Sequence, residues 1–265
     1  MELHVVSVGN SLLRHWSQTA LGAHAPRMQD EDQWQRMLDD PAVLQQITAY
    51  LTENPETRSA EVRSLTAYMR EHHLHPHDVA VYLVGTRTAS NEIVRQALVR
   101  YLRACEFAIY HPKTVSGYFA DTPCTHRVDA FKRGMLELLQ HLIDITHHAR
   151  REYAQIVFNP TGGFKAHVIV VALAAFMTGC PLYYIHEEFA ELIEFPPMFY
   201  VPEPQEVQCL HEIARSGTID VTKCPEPYLR RWIDFGLVEW LETKPPFRQL
   251  RLTARGRALL HLYPE

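Results

Sequence analysis

Short, uniformly apolar runs alternate with longer stretches of helical spacing over the first 200 residues. Leu3-His4-Val5-Val6-Ser7-Val8 is rich in β-branched types and stops at Gly9-Asn10-Ser11, which predicts a buried strand running into a polar turn. Val79-Ala80-Val81-Tyr82-Leu83-Val84 has the same form and ends in Gly85-Thr86-Arg87-Thr88. Phe107-Ala108-Ile109-Tyr110, Ala154-Gln155-Ile156-Val157-Phe158 and Leu182-Tyr183-Tyr184-Ile185 predict three more strands, and Glu191–Phe195 a short return strand. Between them, Pro41–Leu51, Glu61–His72, Ala89–Ala104, Phe131–His147 and Phe164–Met177 carry apolar residues at helical spacing; in Ala89–Ala104 these are Ile93, Ala97, Leu98 and Leu102. Thr114–Arg127, with Gly117 and Pro123, reads as a loop beside the strand ends.

Strands alternating with helices, several of them apolar on both faces, predict an α/β fold: a Rossmann-like, mostly parallel sheet covered by helices on both faces. The proline-rich segment from Phe195-Pro196-Pro197 to Val201-Pro202-Glu203-Pro204 reads as a linker, giving a first domain over 1–200 and a second over 201–265. In the second, helices at Glu206–Ser216 and Pro225–Phe235 precede a hairpin (Gly236–Leu241 returning through Gln249–Leu252) and a capped helix from Thr253. That order of elements is winged-helix-like.

Composition narrows the class. At 46% hydrophobic and 22% charged, the 265-residue chain is neither disordered nor a small disulfide scaffold. Its net charge of −5 argues against a protein that coats nucleic acid through bulk positive charge, so an anionic ligand has to be caught at a local site. Cys105, Cys124, Cys180, Cys209 and Cys224 are odd in number and form no C-x-x-C pair. The opening MELHVVSVGN does not read as a signal peptide, and the longest apolar stretch, Val168–Met177, is half of the roughly 20 residues that span a bilayer. A cytoplasmic protein is expected, with no membrane partner.

In a parallel sheet, ligands bind beyond the carboxyl ends of the strands. Three of those ends are polar turns here. Asn159-Pro160-Thr161-Gly162-Gly163-Phe164-Lys165 lets backbone N–H groups approach an anion closely, directs a helix N-terminus at it, and adds the mobile charge of Lys165. It lacks P-loop spacing, and taken alone it is equally a tight strand-to-helix turn with a solvated lysine. Asn10 and Ser11 offer an amide and a hydroxyl but also suit a helix cap, as do Thr86, Arg87 and Thr88. Convergence of the three turns on one sheet edge is what favours a site.

The early Gly9-Asn10-Ser11 and the Asn159–Lys165 turn together resemble the CARF family, the CRISPR-associated Rossmann folds. The likeness covers about the first 200 residues and is closest to the stand-alone ring nucleases of type III CRISPR systems, which also carry a C-terminal winged helix. It implies a homodimer whose two-fold cleft binds cyclic tetra-adenylate and, without metal or cofactor, cleaves it to linear di-adenylate with a 2′,3′-cyclic phosphate, switching off antiviral signalling. On that resemblance Ser11 and Lys165 are the catalytic candidates. Asn10, Thr86, Arg87, Thr161, Gly162 and Gly163 are the candidate ligand contacts.

Other features carry less. His72-His73-Leu74-His75-Pro76-His77 has no carboxylate or thiol at metal-ligand spacing and reads as a solvated turn; His186-Glu187-Glu188 reads as a surface turn. Arg70 to His75 and Arg255 to His261 match the R-x-x-x-x-H-like spacing of HEPN ribonucleases, but a sixty-residue C-terminal domain is too short for that fold. The rival function is a non-enzymatic cyclic-oligoadenylate sensor acting as a transcription regulator. Residues 203–265 hold nine Lys/Arg against nine Asp/Glu, and the helix at 227–235 offers only Arg230 and Arg231, so DNA binding is disfavoured. Trp232, Ile233, Phe235 and Leu237 are expected in dimer or interdomain packing.

Overall fold

The five apolar runs become parallel strands of one sheet in a computed structural model that describes residues 1–19, 22–27, 30–111, 119–120, 128–186, 191–197, 200, 202–241 and 248–263. The chain divides into two compact units, Met1–Phe195 and Pro196–Glu265. In chain order the first contains β1 (Glu2–Ser7), α1 (Ser11–Ser17), α2 (Glu31–Leu38), α3 (Pro41–Glu53), α4 (Pro55–Arg58), α5 (Ala60–Glu71), β2 (Val79–Thr86), α6 (Ala89–Ala104), β3 (Ala108–Ile109), β4 (Phe119–Ala120), α7 (Val128–Ala149), β5 (Gln155–Asn159), α8 (Lys165–Met177), β6 (Leu182–Ile185) and β7 (Leu192–Phe195).

The strand order is β3-β2-β1-β5-β6-β7. Only β7 runs antiparallel, pairing with β6 from Leu182↔Phe195 to Ile185↔Leu192. Alternation along the strands assigns each side chain to one helical layer. Leu3, Val5, Ala80, Tyr82, Val84, Ile156 and Phe158 pack under α7 and α8. Val6, Val8, Val79, Val81 and Leu83 pack under α1, α2, α3, α5 and α6. His4 also faces α5, where its Nδ1 lies 2.9 Å from the Tyr183 hydroxyl and its ring meets Tyr68 edge-on. Burial pushes the His4 pKa down, so the imidazole is neutral in this layer.

Three features depart from the pattern read along the chain. Ser11 is not in a turn but is the first residue of α1, whose Leu12, Leu13 and Trp16 are buried. A buried Trp34 anchors α2 in a stretch too polar to announce a helix. The expected loop Thr114–Arg127 lies outside the described residues except at Phe119–Ala120, which forms a short strand beside Gly85 and Thr86. Glu187, Glu188 and Cys124 also lie outside them.

The second unit runs α9 (Pro204–Ser216), β8 (Ile219–Asp220), α10 (Glu226–Asp234), β9 (Val238–Leu241), β10 (Gln249–Leu252) and α11 (Ala254–Leu262), with a three-stranded antiparallel sheet in the order β8-β10-β9. Trp232 and Leu237 are buried in this unit's own core, with Phe235 packed against them. They are therefore not reserved for interdomain or dimer packing: a unit this small needs its largest side chains to build a core at all. Ile233 is partly exposed. No helix among the described residues is long and apolar enough to cross a membrane.

Candidate functional site

The sheet reverses direction between β1 and β5: connections from β1 lead outward through β2 to β3, and those from β5 lead outward through β6 to β7. The carboxyl end of such a switch point is an open crevice in an α/β sheet. The turns Gly9-Asn10-Ser11 and Thr161-Gly162-Gly163 flank it, and they interlock. A Cβ on Gly9 would stand 2.5 Å from the Gly163 nitrogen. A Cβ on Gly162 would collide with the Ser7 carbonyl and stand 2.5 Å from Glu61 Oε1 and 2.8 Å from the Gly9 nitrogen. Gly163 has φ +104°, in the region that favours glycine. These glycines are required by close backbone approach, whatever binds above them.

Two hydrogen bonds hold the interlock. The Ser7 hydroxyl donates to the Gly162 carbonyl at 2.6 Å. The Gly9 N–H donates to Glu61 Oε1 at 2.7 Å, while the Ser59 hydroxyl donates to Glu61 Oε2 at 2.7 Å. Glu61 is 2% exposed, and burial raises its pKa, opposed by the bonds from Gly9 and Ser59. Beneath the second turn, Asn159 Oδ1 accepts from the Thr161 N–H at 3.1 Å and the Thr161 hydroxyl at 2.6 Å, and Asn159 Nδ2 donates to Ser64 at 2.8 Å and to Tyr183 at 3.2 Å. The Thr161 hydroxyl proton is therefore committed to its own turn.

Among the described residues, neither candidate catalytic side chain is paired. Ser11 Oγ is buried and has no hydrogen-bond partner. Lys165, in the first turn of α8, is exposed and pairs with no acidic group among the described residues. A cavity of about 780 Å³ opens beside Ser11 and Thr161, with Arg63 and His186 on its wall and Tyr184 and Phe195 among its apolar lining.

Asn10, Thr86 and Arg87 lie on the β2 side of β1, away from the glycine turn. Asn10 Oδ1 accepts from Asn91 Nδ2 at 3.1 Å, and that amide also reaches the Val8 carbonyl at 3.0 Å. Thr86 and Thr88 share a hydroxyl contact at 3.2 Å, and Thr88 caps α6 by accepting from the Asn91 N–H at 3.3 Å. Arg87 is exposed.

Sequence reasoning missed Glu61, Ser59 and His167. Ser59 and Glu61 look like an ordinary helix N-terminus, a cap followed by an acid in the first turn. His167 gave a signal: apart from Lys165 it is the only polar side chain in α8. It is 1% exposed, neither ring nitrogen has a partner, and a Cβ on Gly163 would stand 3.0 Å from its Nδ1. Burial lowers its pKa to about 4. No group of three or more His, Cys, Asp or Glu side chains among the described residues could hold a metal ion.

Residues 56–198, more than half of the chain, match the family described as CRISPR-associated protein (Cas_APE2256). The matched region includes Glu61, β2, β5 and the glycine turn. Among solved structures, protein VC1899 from Vibrio cholerae aligns at 8% identity with a TM-score of 0.37, covering 98% of this chain and 63% of its own. The chain thus spans less than two thirds of that protein's length.

Proposed function

The chain belongs to the CRISPR-associated family Cas_APE2256, and from that premise we propose that it is a ring nuclease that binds cyclic tetra-adenylate and cleaves it to linear di-adenylate. The observation that carries this reading is the contact, at the switch point, between the turn leading to Ser11 and the turn leading to Lys165. One brings an unpartnered hydroxyl and the other a helix N-terminus with a cation that pairs with no acidic group among the described residues.

In the proposed step a ribose 2′-oxygen attacks the neighbouring phosphorus. The new P–O2′ bond closes a 2′,3′-cyclic phosphate, the P–O5′ bond breaks, the 2′-hydroxyl gives up its proton, and the departing 5′-oxygen takes one up. The nucleophile is already in the substrate, so alignment supplies much of the acceleration. Ser11 would orient the 2′-hydroxyl or the phosphate. Lys165 and the Gly162 and Gly163 amides would stabilise charge growing on the phosphate oxygens, with Thr161 beside them and Asn10, Thr86 and Arg87 at the rim on the β2 side. His167, neutral at pH 7, is not needed as a base.

A ring of four identical nucleotides suits a two-fold site, so the functional unit in this reading is a homodimer. Ile169, Leu173 and Met177, spaced four residues apart along α8, form an uncovered apolar row, with Ile169 66% and Met177 58% exposed. A second copy is the occupant we assign to it, because the same helix begins at the glycine turn. A sedimentation mass of one chain at micromolar concentration would remove this part of the reading.

The alternative is a sensor that controls DNA through the C-terminal unit, whose element order is compatible with a winged helix. It has less behind it, since Arg231 of α10 is already engaged by Glu206 at 3.0 Å and Glu203 at 3.5 Å. The deciding experiment incubates labelled cyclic tetra-adenylate with the protein in EDTA. Linear di-adenylate is expected, with Lys165→Ala about 100-fold slower at unchanged melting temperature. Tight binding without product would leave the sensor; neither binding nor product would reject both.

A further inference from the structure

We propose that Glu61 is the positioning residue of this site: its carboxylate holds Gly9, and through it Ser11, in place beside the Gly162–Gly163 turn. The inference rests on the ring-nuclease reading for its activity measurement but not for its structural one.

Glu61 sits where three segments meet. One carboxylate oxygen accepts the Gly9 N–H and the other accepts the Ser59 hydroxyl, each at 2.7 Å, so both oxygens are spoken for by fixed donors. The same Oε1 lies against Gly162, at 2.5 Å from where a Cβ would stand. From the other side of β1, Asn91 holds the Val8 carbonyl and the Asn10 amide. The turn leading to Ser11 is thus fixed from two directions, by Asn91 on the β2 side and by Glu61 on the β5 side. Ser7 bonds the Gly162 carbonyl directly, and Glu61 holds Gly9 against that turn from α5.

A buried carboxylate beside a proposed phosphate site repels the ligand, so attraction of substrate is not its role. Nor does Glu61 touch Ser11. Its effect passes through the two peptide units between Gly9 and Ser11, and a misplacement of about 1 Å at a reacting group can cost about 100-fold in rate.

The test uses Glu61→Ala, Glu61→Gln and Ser59→Ala in the full chain. Glutamine still presents a carbonyl oxygen to the Gly9 N–H, and its NH2 can donate to Ser59 with that hydroxyl turned to accept. In Glu61→Ala, kcat on cyclic tetra-adenylate should fall about 100-fold while Kd changes by less than about threefold. Glu61→Gln should recover most of kcat. Independently of any ligand, hydrogen exchange in a peptide covering residues 8–13 should accelerate in Glu61→Ala, less so in Ser59→Ala, and stay near wild type in Glu61→Gln, with β9–β10 peptides unchanged in all three.

Wild-type exchange at 8–13 in Glu61→Ala overturns the proposal. So does a Glu61→Gln variant as impaired as Glu61→Ala, or a loss that falls on Kd and kcat alike. If Glu61→Ala does not fold, Ser59→Ala at wild-type exchange overturns it. If wild type neither binds nor cleaves the ring, the ring-nuclease reading falls and the exchange measurement alone decides Glu61.

Discussion

The turn after β2 and the two turns after β1 and β5 stand on the same sheet edge and draw on the same small, polar residue types, yet their polar groups are used differently. After β2, the hydroxyls of Thr86, Thr88 and Ser90 bond one another, Thr88 caps α6, and Asn91 fills the space between that turn and Asn10. Its side-chain groups mostly serve the turn itself. After β1 and β5 the backbone is braced from below by Ser7 and Glu61; Ser11 Oγ has no hydrogen-bond partner, and Lys165 pairs with no acidic group among the described residues. Hydroxyls spent within their own turn, as those of Thr86, Thr88 and Thr161 are, serve structure, whereas that of Ser11 has no partner. In the ring-nuclease reading, that difference ranks the Gly9/Gly162 pair above the Thr86 turn as the proposed reacting centre.

The largest expected break in this comparison is Gly162→Ala. The new methyl would meet backbone on two sides, at the Ser7 carbonyl and the Gly9 nitrogen, as well as Glu61 Oε1, so no rotamer can absorb it. Overpacking against backbone should cost about 4 kcal/mol, visible as a large loss of the urea midpoint for the first unit. A Gly162→Ala protein of wild-type stability would show that the turns are not interlocked.

Local pattern could reach only part of this. The sheet was legible because each buried strand is an apolar run, and α6 and β6 fall where periodicity placed them. Ser11 and Lys165 could be singled out as candidates because each belongs to a short motif that resembles a known family. Glu61 was not, because its partner Gly9 is 52 residues away and an acid in the first turn of a helix is ordinary. Likewise α1 was hidden: Asn10-Ser11 reads as a turn until Leu12, Leu13 and Trp16 find a core to enter. Contacts far apart along the chain are what local composition cannot carry.

A pH titration sharpens the contrast, because the glycine turn covers a buried, unpartnered imidazole. The His167 pKa of about 4 lies below the unfolded value of about 6.5. Between those values the unfolded chain binds more protons, so stability rises with pH through this window, is fully present above it, and is lost as pH falls toward 4. The loss should approach about 3 kcal/mol. The raised pKa of Glu61 acts in the opposite sense, since the folded carboxyl takes up its proton more readily, but it is common to wild type and to His167→Leu. The variant should therefore lose the His167 share of the destabilisation between pH 7 and 5, while the share of His4, also lowered by burial, stays in both proteins. Urea denaturation read by pulsed hydrogen exchange in β1 and β5 isolates the first unit; parallel pH profiles for the two proteins would refute it.

The smallest expected effect comes from the turn after β2, and it tests the ranking from the other side. Thr88→Ala removes the cap on the Asn91 N–H and one member of the hydroxyl chain, which should cost about 1 kcal/mol of stability. Asn91 keeps its bonds to Val8 and Asn10, so the turn leading to Ser11 stays where it is. Affinity for cyclic tetra-adenylate should then stay within about twofold of wild type, since only the rim hydroxyl of Thr86 loses a partner and the groups assigned to the phosphate keep theirs. A tenfold loss of affinity at that modest cost in stability would mean that the Thr86–Thr88 hydroxyls are central ligand contacts and not rim ones. The two kinds of turn would then differ in bracing but not in function.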